Sequence, residues 1–143
     1  MLRNRRIQRE IERSKYTFTP PINWETDQII LGIPALRATI EVTRDYPFAP
    51  PKLYIDGTLS SRRLIVSYKS MYRFFNKYHL FMQCICCDRL CKRWVPTYVL
   101  DSVIDEYVWL SQVLSQLLGY KLIMQKLPFD ELLHTHILSY LCM

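Results

Sequence analysis

The chain has 143 residues and a mass of 17.2 kDa, the size of one domain able to bury an apolar core without disulfide or metal support. Half of the residues are hydrophobic, 22% are charged and three are glycine, a composition that excludes disordered and fibrous proteins. The five cysteines are an odd number and no signal peptide precedes them, so we predict a reducing compartment, cytoplasmic or nuclear.

The first predicted element is an amphipathic helix. Leu2, Ile7 and Ile11 form a thin apolar seam at helical spacing, and the other face is basic. Nineteen basic against thirteen acidic residues give the whole chain a formal charge of +6. Clustered basic side chains are what phosphate binding needs, but a surface helix accounts for the same pattern. We therefore predict no nucleic-acid partner.

Two strands are predicted next, over residues 23–33 and 35–43, separated by Gly32 and Pro34. The second strand alternates apolar and polar residues, which indicates a sheet with one face on a core. The simplest topology is an antiparallel hairpin or meander.

The stretch DYPFAPPKLYI (45–55) contains three prolines in five positions, so it is neither an interior helix nor a central strand. It predicts a rigid, packed connection that leads into a third strand at LYI. Asp56-Gly57 predicts a turn, and LIVSY (64–68) is interpreted as a fourth strand.

The second half of the chain predicts a long apolar helix over residues 97–118, ended by Gly119, and a closing helix that starts at Pro128. The longest uncharged stretch, residues 107–120, is too short and too polar to span a membrane, so no membrane partner is predicted.

Two motifs in this order resemble those of the ubiquitin-conjugating enzyme (UBC) family, and the resemblance extends from about residue 2 to residue 118. DYPFAPPKLYI matches the family's YPFxPP motif, and ICCDRLCKRWVP (85–96) matches I-C-L-D-x-L-x-x-x-W-x-P. The first motif contains Tyr46, Pro47, Pro50 and Pro51. The resemblance implies an α+β, UBC-like fold: an antiparallel β-meander with an N-terminal helix and C-terminal helices. The UBC-like domain would cover residues 1–120.

By the same resemblance, Cys86 is the catalytic cysteine, which carries ubiquitin or a ubiquitin-like protein as a thioester received from an activating enzyme. A thiolate suits this chemistry because a thioester is a good acyl donor to an amine or another thiol. Asp88, two residues later, either orients the attacking lysine or caps a local turn. No cofactor is implied.

The resemblance also implies two partner-binding regions. Arg5 and Arg6 match the helix face that meets the activating enzyme, and Phe48 and Pro96 match loops presented to ligases. Buried packing is the alternative for Phe48, because buried aromatic residues are common. Trp94 and Pro96 have a structural interpretation too, as an aromatic anchor and a fixed φ that make the loop rigid.

Two departures from the family pattern favour a second hypothesis. No His-Pro-Asn triplet precedes the cysteine, and the loss of a comparable oxyanion donor slows acyl transfer by about 100- to 1000-fold. The segment between Pro51 and Cys86, with 34 residues, is longer than usual. The alternative is therefore a catalytically inactive UBC-like protein that acts as a binding module or as a structural component of a virion.

Residues 121–143 are interpreted as a C-terminal helix. LPFDELLHTHILSYL resembles the start of an F-box, which binds Skp-type adaptors, but a plain amphipathic closing helix explains the same apolar residues. A conjugating-enzyme core with such a tail is similar to proteins of large DNA viruses. That origin would add capsid proteins to the possible partners and the virion to the possible locations.

Four of the five cysteines lie between residues 84 and 91, and with His79 they raise the alternative of a zinc site. Their C-x-C-C-x3-C spacing differs from the usual C-x2-C pairs, and the family motif accounts for Cys86 without a metal. We therefore predict no metal, and we interpret Cys84, Cys87 and Cys91 as small buried core residues.

Overall fold

The computed structural model describes residues 2–77 and 90–126, which form an α+β fold with an N-terminal helix, a four-stranded antiparallel sheet and a long C-terminal helix. The α+β class, the N-terminal helix and the antiparallel sheet agree with the prediction. In chain order the elements are α1 (Leu2–Arg13), β1 (Ile29–Ile33), a 3-10 turn (Pro34–Leu36), β2 (Ala38–Val42), β3 (Lys52–Ile55), β4 (Thr58–Leu59), α2 (Ser60–Lys77) and α3 (Leu100–Lys126). Across the described ranges, every helix is too short or too polar to cross a membrane.

The sheet is a meander with the strand order β1-β2-β3-β4, as predicted. Ile40 of β2 lies opposite Leu31 of β1 and Leu53 of β3. Asp56 and Gly57, with φ angles of 49° and 77°, form the two-residue turn into β4. Turns in which both central residues have positive φ match the twist of an antiparallel pair, which explains the Asp-Gly sequence at this point.

The main core lies between one face of the sheet and helices α1 and α3. Alternate strand residues point into it, and Ile7 of α1 and Ile104 of α3 are both fully buried against them. The strand residues of this core are Ile29, Leu31, Ile33, Ala38, Ile40, Val42, Leu53 and Ile55. The period-two pattern thus decides which face of the sheet is covered.

A second, smaller core joins α2 to α3. Leu64 and Met71 of α2 are buried against Leu110, Leu114 and Leu117 of α3. The prediction of a strand at LIVSY (64–68) is therefore wrong. Leu64 and Met71 lie two helical turns apart on one face, and burial of that face on α3 outweighs the local β propensity of Ile65.

Several predicted boundaries are also wrong. Strand β2 starts at Ala38 rather than at residue 35, after the 3-10 turn, and α3 starts at Leu100 rather than at residue 97. Helix α3 continues through Gly119 to Lys126, because Gly119 keeps an ordinary helical backbone and its neighbours Leu117 and Tyr120 pack with α2. Strand β1 starts at Ile29 rather than at residue 23. The preceding residues instead turn around α1, where buried Arg3 donates hydrogen bonds to the carbonyls of Thr26 and Asp27, each at 2.8 Å.

Candidate functional site

The predicted catalytic residues Cys86 and Asp88 lie outside the described residues, as do Cys84, Cys87 and the closing segment 127–143. Leu90 lies four positions after Cys86 and is the first described residue beyond it. Its backbone N–H donates a hydrogen bond of 2.7 Å to Oε2 of Glu106, on the second turn of α3. The chain that follows the predicted cysteine is therefore attached to α3.

Tyr46 links α1 to the loop of the YPFxPP motif. Its side chain is 2% exposed, and its hydroxyl donates to the carboxylate of Glu10, with oxygen distances of 2.6 and 2.8 Å. The Arg6 guanidinium lies over its ring, 5.5 Å from the centroid. Tyr46 thus contacts two residues of α1, through its hydroxyl and through its ring.

Trp94 holds the two motif loops together. Its indole N–H donates to the Pro47 carbonyl at 2.7 Å, and its ring lies 6.1 Å from that of Tyr46 and 5.6 Å from that of Tyr98. The Tyr46-Pro47 peptide bond is cis. Pro50 and Pro51 complete the connection into β3, with Pro51 buried. Trp94 thus connects the loop before α3 to the loop of the YPFxPP motif.

Arg6 joins α1 to the loop before α3. Its guanidinium donates to the carbonyls of Pro96 and Tyr98, and it forms a 3.2 Å ion pair with Glu10 one turn along the helix. The guanidinium of Arg6 is therefore partly buried and bonded within the fold, whereas Arg5 is exposed. The ring of Pro96 is exposed beside this junction.

A groove with a volume of 870 Å³ runs between α1, the loop at residues 44–48 and the start of α3. Phe48 forms part of its wall and is 80% exposed, so the alternative of buried packing for this residue is wrong. Val99 adds apolar surface. The exposed cations along the groove are Arg5, Arg9, Arg13 and Arg44. An exposed aromatic ring among arginines is typical of protein-binding surfaces.

The end of α1 is tied to the first turns of α3. Ser14 Oγ donates to Asp101, the Tyr16 hydroxyl donates to Asp105, and Lys15 forms a 2.8 Å ion pair with Asp105. Burial would raise the pKa of Asp105, but hydrogen bonds from Lys15 and Tyr16 and the charge of Lys15 lower it overall. This junction fixes the orientation of the groove's two helices.

Burial raises the pKa of Glu10, and hydrogen bonds from Tyr46 and Arg6 offset only part of that effect. Between the ordinary value of 4.5 and the raised value, the folded chain binds more protons than the unfolded chain. The contribution of Glu10 to the free energy of unfolding must then fall as pH rises through this interval. The fall is at most about 1.4 kcal/mol for each pH unit over which only the folded chain holds the extra proton.

We expect the stability of the wild type relative to Glu10→Gln to decrease as pH rises from 4.5 through the raised pKa of Glu10, and then to level off. Urea unfolding of both proteins from pH 4 to pH 8 measures this difference. Glu12→Gln, an exposed position on the same helix, is the matched control. A wild type that becomes more stable relative to Glu10→Gln as pH rises would contradict the raised pKa of Glu10.

Cys91 is exposed in a turn closed by the 3.0 Å hydrogen bond from Arg93 N to Leu90 O, so its prediction as a core residue is wrong. Within residues 2–77 and 90–126, no group of three or more His, Cys, Asp or Glu residues is arranged to hold a metal ion. The candidate zinc ligands Cys84, Cys86, Cys87 and His79 lie outside that part of the chain.

No protein-family model matches the chain, and comparisons with curated proteins and with solved structures find no match. The groove residues Arg9, Arg13, Arg44 and Val99 are not among the predicted site residues. Arg9 and Arg13 follow Arg5 at intervals of four residues, so helical spacing alone would have added them. Arg44 and Val99 are brought to the groove only by the tertiary fold.

Proposed function

We propose that this chain is a divergent UBC-like protein that carries ubiquitin or a ubiquitin-like protein as a thioester on Cys86. In that reaction the Cys86 thiolate attacks the thioester on the activating enzyme, a new thioester forms, and the activating enzyme's cysteine leaves as a thiolate. The proton that the Cys86 thiol loses goes to solvent, and the thiolate of the activating enzyme takes one proton from solvent.

One observation carries the proposal: the parts of the chain that the family resemblance assigns to partners meet in one surface. Helix α1 carries Arg5, the first motif loop presents Phe48, and the second motif loop presents Pro96 next to Arg6. Residues far apart in the chain are thus adjacent, with Trp94 and Tyr46 holding the loops together. A conjugating enzyme needs such a surface to meet its activating enzyme and ligase.

The activating enzyme is expected to contact the cationic side of the groove, because Arg5 is exposed and projects there. Arg5→Glu should slow thioester formation by roughly three- to tenfold at limiting activating enzyme, with the effect shrinking as salt is added. Single-turnover charging at low and at high NaCl concentration measures it.

Lys126→Glu makes the same change in net charge at the far end of α3 and is the matched control. If both variants charge at equally reduced rates, or if Arg5→Glu charges like the wild type, the groove is not the surface that contacts the activating enzyme.

The second candidate function is a UBC-like binding module without thioester chemistry, acting as an adaptor for host ligases or as a virion component. The missing His-Pro-Asn triplet favours it. Under this function the chain binds a partner through Phe48 and the surrounding arginines, and no covalent adduct forms. Thioester formation with activating enzyme, ATP and ubiquitin separates the two functions.

A further inference from the structure

Helix α2 (Ser60–Lys77) follows β3 and β4 in the 34-residue segment between Pro51 and Cys86. Its sequence contains five basic residues and no acidic residue. The inner face packs on α3 through Leu64 and Met71. Neither this packing nor the groove, which lies on other elements, explains the basic residues on the outer face of α2.

The basic residues of the outer face form a stripe, defined here as Arg62, Lys69 and Arg73. They are seven and four residues apart, so at 3.6 residues per turn they fall within about 40° of one another, opposite Leu64 and Met71. The stripe is about 16 Å long at 1.5 Å per residue. All three side chains are exposed.

The charges of the stripe are not neutralised within the described residues. Arg63, on the side of the helix, forms a 3.3 Å ion pair with Asp56, whereas no ion pair in residues 2–77 and 90–126 includes Arg62, Lys69 or Arg73. A row of unpaired cations along a rigid helix attracts a ligand with regularly spaced negative charges.

An aromatic surface borders the stripe. Tyr72 is 45% exposed, and its ring centroid lies 5.9 Å from that of Tyr68, which is partly buried on the α3 side. Tyr68 therefore supports one side of Tyr72 and leaves ring surface open to solvent. Aromatic side chains beside a row of cations are the recurring means by which proteins bind single strands, through base stacking and phosphate contacts.

Other anionic ligands fit these features less well. An anionic membrane surface is bound by helices with several large apolar side chains on the bound side, but Tyr72 is the one exposed large hydrophobic residue among the side chains of α2 that the structure describes. An acidic protein segment would pair with the cations but would not need the open face of Tyr72.

We propose that the basic stripe and Tyr72 form a binding site for single-stranded nucleic acid. The three cations contact phosphates of the strand, and a base stacks on the Tyr72 ring. The expectation of no nucleic-acid partner is based on the basic residues of the N-terminal helix. With residues 64–68 interpreted as a strand, the helical spacing that aligns Arg62, Lys69 and Arg73 is not seen in the sequence. The site is independent of thioester formation on Cys86.

The test is fluorescence anisotropy of a labelled oligothymidylate of about 16 nucleotides, titrated with the full chain at several salt concentrations. Replacing Arg62, Lys69 and Arg73 together by Gln should weaken binding at least about tenfold at low salt. It should also reduce the slope of log K against log salt by about 2, because each lost phosphate contact removes about 0.7. Tyr72→Ala should weaken binding about tenfold and leave the slope unchanged, and Tyr72→Phe should bind like the wild type.

The matched control replaces Arg5, Arg9 and Arg13 of α1 by Gln, which removes the same number of charges. All six positions are exposed and Gln is a good helix former, so circular dichroism should show folded protein in both variants. Four results would overturn the proposal. Two are no binding by the wild type and an equal loss in the two triple variants. Displacement of the strand by polyglutamate of the same charge would indicate an acidic protein segment instead, and binding of phosphatidylserine vesicles with loss of the oligonucleotide signal would indicate a membrane.

Discussion

Cys86→Ala is expected to abolish a thiol-sensitive adduct between this chain and ubiquitin, or a ubiquitin-like protein, on a non-reducing gel. The adduct requires a nucleophilic sulfur, and alanine provides none. Cys86→Ser is expected to give a thiol-resistant band in its place, because an ester forms where the thioester did. The wild-type band should depend on activating enzyme and ATP and disappear with reductant.

Cys91→Ser is the matched control for this experiment, because Cys91 is an exposed thiol only five positions from Cys86. It should charge like the wild type. A band that is lost in Cys91→Ser but kept in Cys86→Ala would show that Cys91, and not Cys86, carries the thioester. No band with any ubiquitin-like protein, from folded chain, would exclude the conjugating enzyme and leave the binding module.

Tyr46→Ala is expected to cause the largest loss of stability among the motif residues, roughly 3–5 kcal/mol, as for other buried aromatic side chains replaced by alanine. The change removes a ring that is 2% exposed, the contact with Trp94 and the donor that satisfies the Glu10 carboxylate. For a chain of this size the midpoint of thermal unfolding should fall by on the order of 10 °C. Chemical and thermal unfolding followed by circular dichroism measure both effects.

Phe48→Ala, in the same loop, is the matched control, since this ring is 80% exposed. Its free energy of unfolding should stay within about 0.5 kcal/mol of the wild type. Tyr46→Phe isolates the hydroxyl and should cost about 1–2 kcal/mol, because the partly buried Glu10 loses a hydrogen-bond donor. Equal stability of Tyr46→Ala and Phe48→Ala would show that Tyr46 does not link α1 to the motif loops.

The elements that are predicted correctly have signals confined to a few neighbouring residues. Alternation across Ala38, Ile40 and Val42 marks the buried face of β2, and Asp56-Gly57 marks a turn that needs two positive φ angles. The amphipathic α1 is equally local, although Leu2 at its start is 86% exposed. In each case the residues that predict the element are the same residues that form it.

The site is predictable to the extent that its residues belong to motifs. The two motifs single out Tyr46, Phe48, Trp94 and Pro96, but they leave the roles of these residues open. Whether an aromatic ring is buried, like that of Tyr46, or exposed, like that of Phe48, depends on what packs over the loop. Here α1 and the Trp94 loop cover one ring and leave the other in the groove.

By itself, the sequence determined the α+β class, the meander, the turn and the two motifs, because local periodicity, turn stereochemistry and fixed offsets are properties of neighbouring residues. Only the tertiary structure decided that residues 60–77 form a helix and that α3 passes through Gly119, since both depend on packing between α2 and α3. It also decided that arginines from α1 and the loop at residue 44 share a groove with Phe48. Contacts between distant parts of a chain depend on which buried faces find each other, and no short stretch of sequence contains that information.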